Sequence, residues 1–177
     1  MQLRLAFVLC LAAGPALAEM TLTSPDFADG GTLPLAQVFD AMGCSGGNTS
    51  PALDWSGAPE GTKSFLLTAH DPDAPTGSGW WHWTVANIPA EVTGLAAGAS
   101  PTGLPAGAVE GRTDFGAPGF GGACPPEGAA PHRYVFTIYA LPEATLPLDG
   151  NASGAMFGFY ANAMALDHAS LTATYGR

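Results

Sequence analysis

Three short stretches of the 177-residue chain gather side chains able to bind a ligand or move a proton. His70-Asp71-Pro72-Asp73-Ala74-Pro75 places two carboxylates two residues apart, with proline between them stiffening the backbone into an extended turn. Alternate residues of an extended chain share a face, so Asp71 and Asp73 are predicted to look into one pocket. An ordinary Asp-Pro turn would use the same residues. Trp80-Trp81-His82-Trp83-Thr84 sets a histidine in an aromatic run. Strand alternation groups Trp80, His82 and Thr84 on one face and Trp81, Trp83 and Val85 on the other. A histidine there serves either a site or a satisfied core position. Pro125-Pro126-Glu127-Gly128 leads to His132-Arg133-Tyr134. His132 and Tyr134 share a face as donors for an anion while Arg133 points away, or arginine simply caps a strand start.

These groups need rigid elements to hold them. Lys63 to His70 and Trp80 to Ile88 are strand-like runs separated by an Asp-, Pro- and Gly-rich loop, and Arg133 to Leu141 is a third, aromatic and β-branched. Met20 to Ser24 and Ala52 to Ser56 are predicted as short strands, and Leu171 to Tyr175 as a closing one. Leu35 to Met42 suits one or two helical turns. Ser153 to His168 is the best helix, with Ser153 as its N-cap and no interrupting proline. Residues 89–131 read as a long loop, a length that usually carries function. Several strands, turn-rich links and one late helix predict a mostly antiparallel β-sandwich.

Composition limits the partners. The chain has 24 glycines and 16 prolines, which disfavours a helical bundle, and 47% hydrophobic residues, too many for disorder. A net charge of −10 argues against nucleic acid and against anionic lipid surfaces. Residues 1–18 combine Arg4, the apolar run Leu5 to Ala13 and Ala16-Leu17-Ala18, the three parts of a secretory signal peptide cleaved after Ala18. Removing Arg4 takes the net charge from −10 to −11. Residues 19–177 are then a single domain, and Cys44 and Cys124 remain once Cys10 departs. In an oxidising compartment they are a natural disulfide pair, closing about 80 residues and contributing roughly 4 kcal/mol. Free thiols or a metal site are the alternatives, and the absence of a C-x-x-C spacing disfavours zinc. No further apolar stretch is long enough for a transmembrane helix.

Taken together, the wording is specific. Asp71-Pro72-Asp73-Ala74-Pro75, Trp80-x-His82-Trp83-x-x-x-Asn87-Ile88-Pro89 and Pro125-Pro126-x-Gly128-x-x-x-His132-Arg133-Tyr134 resemble the phosphatidylethanolamine-binding protein (PEBP) family. Cys44 to Trp55 and the ending Leu171 to Arg177 resemble its bacterial Raf-kinase-inhibitor-like branch of YbhB/YbcL type. The resemblance runs from about Leu22 to Arg177. It implies an all-β, PEBP-like antiparallel Greek-key sandwich, a large sheet on a smaller one, with a few short peripheral helices. It also implies a small anion-holding cavity lined by Asp71, Asp73, Trp80, His82, Pro125, His132 and Tyr134. The backbone N–H groups of Gly122, Ala123 and Cys124 fall at its rim.

The expected function is that of a secreted, periplasmic protein that binds a small anion, such as phosphate, phosphoethanolamine or a phospholipid head group, and modulates an unidentified protein target. Donation would come from the histidines, the Tyr134 hydroxyl and backbone N–H groups, and affinity would rise as pH falls through the histidine range. No cofactor or metal is expected. The alternative is a kinase- or protease-inhibitor-like interaction module with a secondary pocket. A hydrolase is disfavoured, because no G-x-S-x-G, H-E-x-x-H or P-loop is present.

Overall fold

The structure, a computed structural model, describes residues 19–177. The expected signal peptide lies outside the described residues. Among the described residues, nine strands form two sheets. Strands β1 (Thr21–Thr23), β3 (Leu53–Ser56) and β6 (Gly94–Leu95) make the small sheet, in the order β1-β3-β6. The large sheet contains β2 (Gly31–Thr32), β4 (Ser64–Asp71), β5 (Trp80–Pro89), β7 (Val109–Glu110), β8 (His132–Leu141) and β9 (Asp167–Tyr175), in the order β2-β9-β8-β4-β5-β7. Every pairing is antiparallel except the edge pair β2–β9, which is parallel.

The central strands are long because their sequences are apolar and β-branched on both faces. Strand β4 is buried along almost its whole length. Phe65, Leu67 and Ala69 join Trp83, Val85, Phe136 and Ile138 in the core shared with Leu22 and Trp55 of the small sheet. Leu66, Ala86 and Leu141 face the other way and pack on helix α1 (Gly154–Met164) through Phe157 and Ala161. Trp83, Phe65 and Phe136 are almost wholly inaccessible, and burial of each such side chain stabilises the fold by about 2–3 kcal/mol.

Three expectations change. The helix begins as read, with the Ser153 side chain accepting from the Met156 N–H, but it stops at Met164 instead of His168. Residues 167–170 instead extend β9, pairing with Thr137 to Ala140 of β8 and burying Ala169, so pairing and burial override local helix propensity. Leu35 to Met42 gives only one 3-10 turn, Leu35–Gln37, after which Val38 extends to bridge Ala123. The 89–131 segment contributes the two-residue edge strands β6 and β7, too short to show a period.

Candidate functional site

The antiparallel order β8-β4-β5 brings three strand ends to one edge of the large sheet: the end of β4 with Asp71, and the starts of β5 and β8. They form the floor of a cavity of about 320 Å³ lined by Asp71, Trp80, His82, Pro125, His132 and Tyr134, among others. Six of the seven expected site residues meet there.

Asp73 does not. Its carboxylate accepts from the Arg133 backbone N–H at 2.9 Å, from Arg133 Nε at 2.9 Å and from Nη2 at 2.7 Å, outside the cavity. Those bonds hold its carboxyl well below the ordinary range, at about 2. The chain after Asp71 turns instead of continuing extended. Asp71 Oδ1 accepts the N–H groups of Asp73 and Ala74 at 2.8 and 3.1 Å, so the two carboxylates part. The Asp-Pro turn and the site reading are therefore both realised, one on each aspartate.

Asp71 Oδ2 accepts from His132 Nδ1 at 2.7 Å, with both side chains buried. The Asp71 carboxylate thus has three donors, which compensates its charge inside the protein. The bond fixes the Nδ1–H tautomer of His132 and leaves Nε2 without a partner among the described residues.

The expected alternation of β5 fails at His82. Trp80 pairs with Asp71 and Trp81 with His70, but Trp83 pairs with Ala69, so His82 is the extra residue of a β-bulge. Trp83 stays in the inter-sheet core, whereas Trp81 lies on the helix side, packed at a tilt against the His70 ring and against Gly154. Thr84 also faces the helix side, so it does not share His82's face. The bulge keeps His82 on the pocket side, edge-on to the Tyr134 and Phe115 rings. His82 Nδ1 donates to the Gly121 carbonyl at 2.7 Å, and burial pushes its pKa down to about 4. Burial, with the nearby Asp71 charge, raises the Tyr134 pKa, so its hydroxyl stays a donor. Neither that hydroxyl nor Trp80 Nε1 has a hydrogen-bond partner among the described residues.

The rim differs from expectation. The Gly122 N–H donates to Asn48 Oδ1 at 2.7 Å and the Ala123 N–H to the Gln37 carbonyl at 3.0 Å, so neither is free for a ligand. A Cβ at Gly122 would lie 2.5 Å from the Gln37 oxygen, which requires glycine at this close approach. Cys44 and Cys124 form a disulfide, with Cα atoms 5.9 Å apart.

The family model for phosphatidylethanolamine-binding protein matches residues 23–176. The chain belongs to this family. It is 55% identical over 161 residues to the UPF0098 protein YbcL of Escherichia coli (strain K12), covering 89% of this chain and 88% of that one. It is 49% identical over 158 residues to the UPF0098 protein YbhB of the same organism, covering 88% and 99%. The crystal structure of E. coli YbcL, a new member of the mammalian PEBP family, superposes with a TM-score of 0.88 at 55% identity, covering 90% of this chain and 99% of that one. The mostly-β, two-sheet PEBP fold is therefore shown.

In this PEBP chain the cavity also contains residues that sequence reading did not assign: Phe115, Met42 and Arg177. Phe115 packs edge-on against Trp80 and His82. Arg177 Nε donates to the Pro125 carbonyl at 2.7 Å and Nη1 to the Gly43 carbonyl at 2.9 Å, which fixes a guanidinium at the mouth. The sequence signal for it was weak: one of five basic residues, far in sequence from the other site residues. No three or more His, Cys, Asp or Glu side chains are grouped to hold a metal among the described residues.

Proposed function

We propose that this PEBP-family protein is exported and binds a small oxyanion, a phosphate ester or phospholipid head group, in this cavity. The observation that carries the reading is the charge arrangement. The one carboxylate in the wall, Asp71, is already satisfied by His132 and two backbone N–H groups, while the Arg177 guanidinium stands at the mouth. An anion therefore meets a local cation in a molecule of net charge −10. Binding, and not catalysis, fits the lining: the Thr76 hydroxyl is bonded to the Gly79 carbonyl, Cys124 is in a disulfide, and burial keeps Tyr134 protonated. Export is supported by the three-part leader at residues 1–18 and by the cysteine pair. No helix among the described residues is long and apolar enough to cross a membrane.

Calorimetric titration of phosphoethanolamine into the wild type and His132→Asn tests the reading. Asparagine retains a donor for Asp71 but loses Nε2. Wild-type affinity should rise as pH falls and the variant should lose most of it. Equal affinities at every pH would overturn the proposal. A second role, docking on another protein, has support in the exposed Met156 and Phe159 of α1. Capture of a partner that survives His132→Asn but fails in Phe159→Ser would bear it out.

A further inference from the structure

His82 is the least expected member of the cavity, because it is bonded the wrong way round for a simple anion donor. Its Nδ1 lies 2.7 Å from the Gly121 carbonyl oxygen, which can only accept, so Nδ1 carries the ring hydrogen. In the neutral ring, Nε2 then holds a lone pair. His82 is 4% exposed and is not itself paired with a carboxylate. The groups packed against it are Asp71 of β4, already bonded to His132, and His132 and Tyr134 of β8. The loop above contributes the uncharged Phe115 ring and the Gly121 carbonyl, Asp114 being turned to the Trp81 N–H. Arg177 is the cation at the mouth, and His70 lies against Trp81 on the other face of the sheet. Burial, the main cause of the low His82 pKa of about 4, favours the neutral form.

An oxyanion placed in the cavity therefore meets a buried atom, His82 Nε2, that accepts a hydrogen bond and does not donate one, and the Nδ1–H tautomer of His132 offers a second acceptor of the same kind at its own Nε2. We propose that the cavity selects oxyanions that still carry a proton, inorganic phosphate and phosphomonoesters, over fully ionised oxyanions of the same shape, sulfate and phosphodiesters. The inference rests on the anion-binding reading above and narrows it. The ligand's P–OH donates to His82 Nε2, and its remaining oxygens take the Arg177 guanidinium and the unpartnered Tyr134 hydroxyl and Trp80 Nε1–H. Sulfate or a diester sets lone pair against lone pair at His82, leaving a buried acceptor unsatisfied. A phosphomonoester loses its last proton with a pKa near ~6, so its favoured form is the one present below that value. The selection thus separates a free phosphomonoester from an intact phospholipid head group, which is a diester.

The test is calorimetry of the oxidised protein with two matched pairs of probes, inorganic phosphate against sulfate and phosphoethanolamine against glycerophosphoethanolamine, at about pH 5.5 and about pH 8. The expected result is a preference of about tenfold or more for the proton-bearing member at the lower pH, as one hydrogen bond to a buried group would give. The preference should shrink at the higher pH. His82→Asn, which keeps a donor for Gly121 and removes Nε2, should narrow the preference within each pair severalfold; an unchanged preference would overturn the assignment to His82. If that variant does not fold, the wild-type pairs decide alone, with nitrogen-15 NMR of His82 reporting whether phosphate engages Nε2. Equal wild-type binding of phosphate and sulfate at about pH 5.5 would overturn the proton rule and leave the anion site standing. Binding of none of the four probes would overturn both.

Discussion

At the scale of the residue, three ionisable side chains differ by what surrounds them. Asp71 is buried and triply bonded, so removing a partner exposes its charge to a low-dielectric wall. His132→Ala should cost about 3–5 kcal/mol in denaturant unfolding, as for other broken buried pairs. Asp73, bonded to the exposed Arg133, is the contrast. Asp73→Ala should cost at most about 1 kcal/mol and leave phosphoethanolamine affinity unchanged, since it lies outside the cavity. His82 gives a pH signature. Its folded pKa of about 4 lies below the unfolded value near 6.5, so the unfolded chain binds more protons between those values. Its contribution is complete above about pH 6.5 and is lost as pH falls through about 4, with a maximum of roughly 3 kcal/mol. Thermal unfolding measured against pH should show this arm, and His82→Asn should remove it. The Asp73 contribution is lost lower still, as pH falls from about 3.8 through about 2, so the two arms separate.

At the scale of the element, the site depends on how β4 turns into β5. Gly79 sits immediately before Trp80 with φ of 74°, and a Cβ there would lie 2.5 Å from the Asp71 carbonyl oxygen and from His70 Nε2. Gly79→Ala should therefore lower stability by about 2 kcal/mol or more, and should weaken binding by displacing Trp80. The strands were legible in sequence because their apolar residues run unbroken between Pro- and Gly-rich turns. The bulge at His82 was not legible. It inserts one residue against β4, and nothing in Trp80 to Thr84 marks which residue that is. Strict alternation consequently grouped Thr84 with His82 and Trp81 with Trp83, whereas Trp81 and Thr84 share the helix side and Trp83 joins the side of His82. The end of α1 was misread for a related reason: residues 167–170 tolerate a helix, and only the free edge of β8 makes them a strand.

At the scale of the whole molecule, the cavity mouth is assembled from segments far apart in the chain. The disulfide joins positions 80 residues apart, and Arg177 bonds to Gly43 and Pro125, each next to one of its cysteines. Reduction, or Cys44→Ser with Cys124→Ser, should cost up to about 4 kcal/mol in unfolding measurements, by the loop-entropy estimate for 80 residues. Arg177→Gln should weaken phosphoethanolamine binding about tenfold while leaving the melting temperature within a few degrees, and raising ionic strength should narrow the difference.

The motifs around Asp71, His82 and His132 were sufficient to identify the family, the β architecture and six of the cavity residues, because strand runs, turn residues and short motifs are local patterns. Which aspartate enters the cavity, which histidine nitrogen is free, which rim N–H groups are already bonded and where the cation comes from were settled only by packing. Each of these depends on a partner distant in sequence: His132 for Asp71, Arg133 for Asp73, Gly121 for His82, Asn48 for Gly122, and Gly43 and Pro125 for Arg177. A hydrogen bond between such segments has no local pattern to announce it, and here those bonds set the charge and the donor–acceptor character of the cavity.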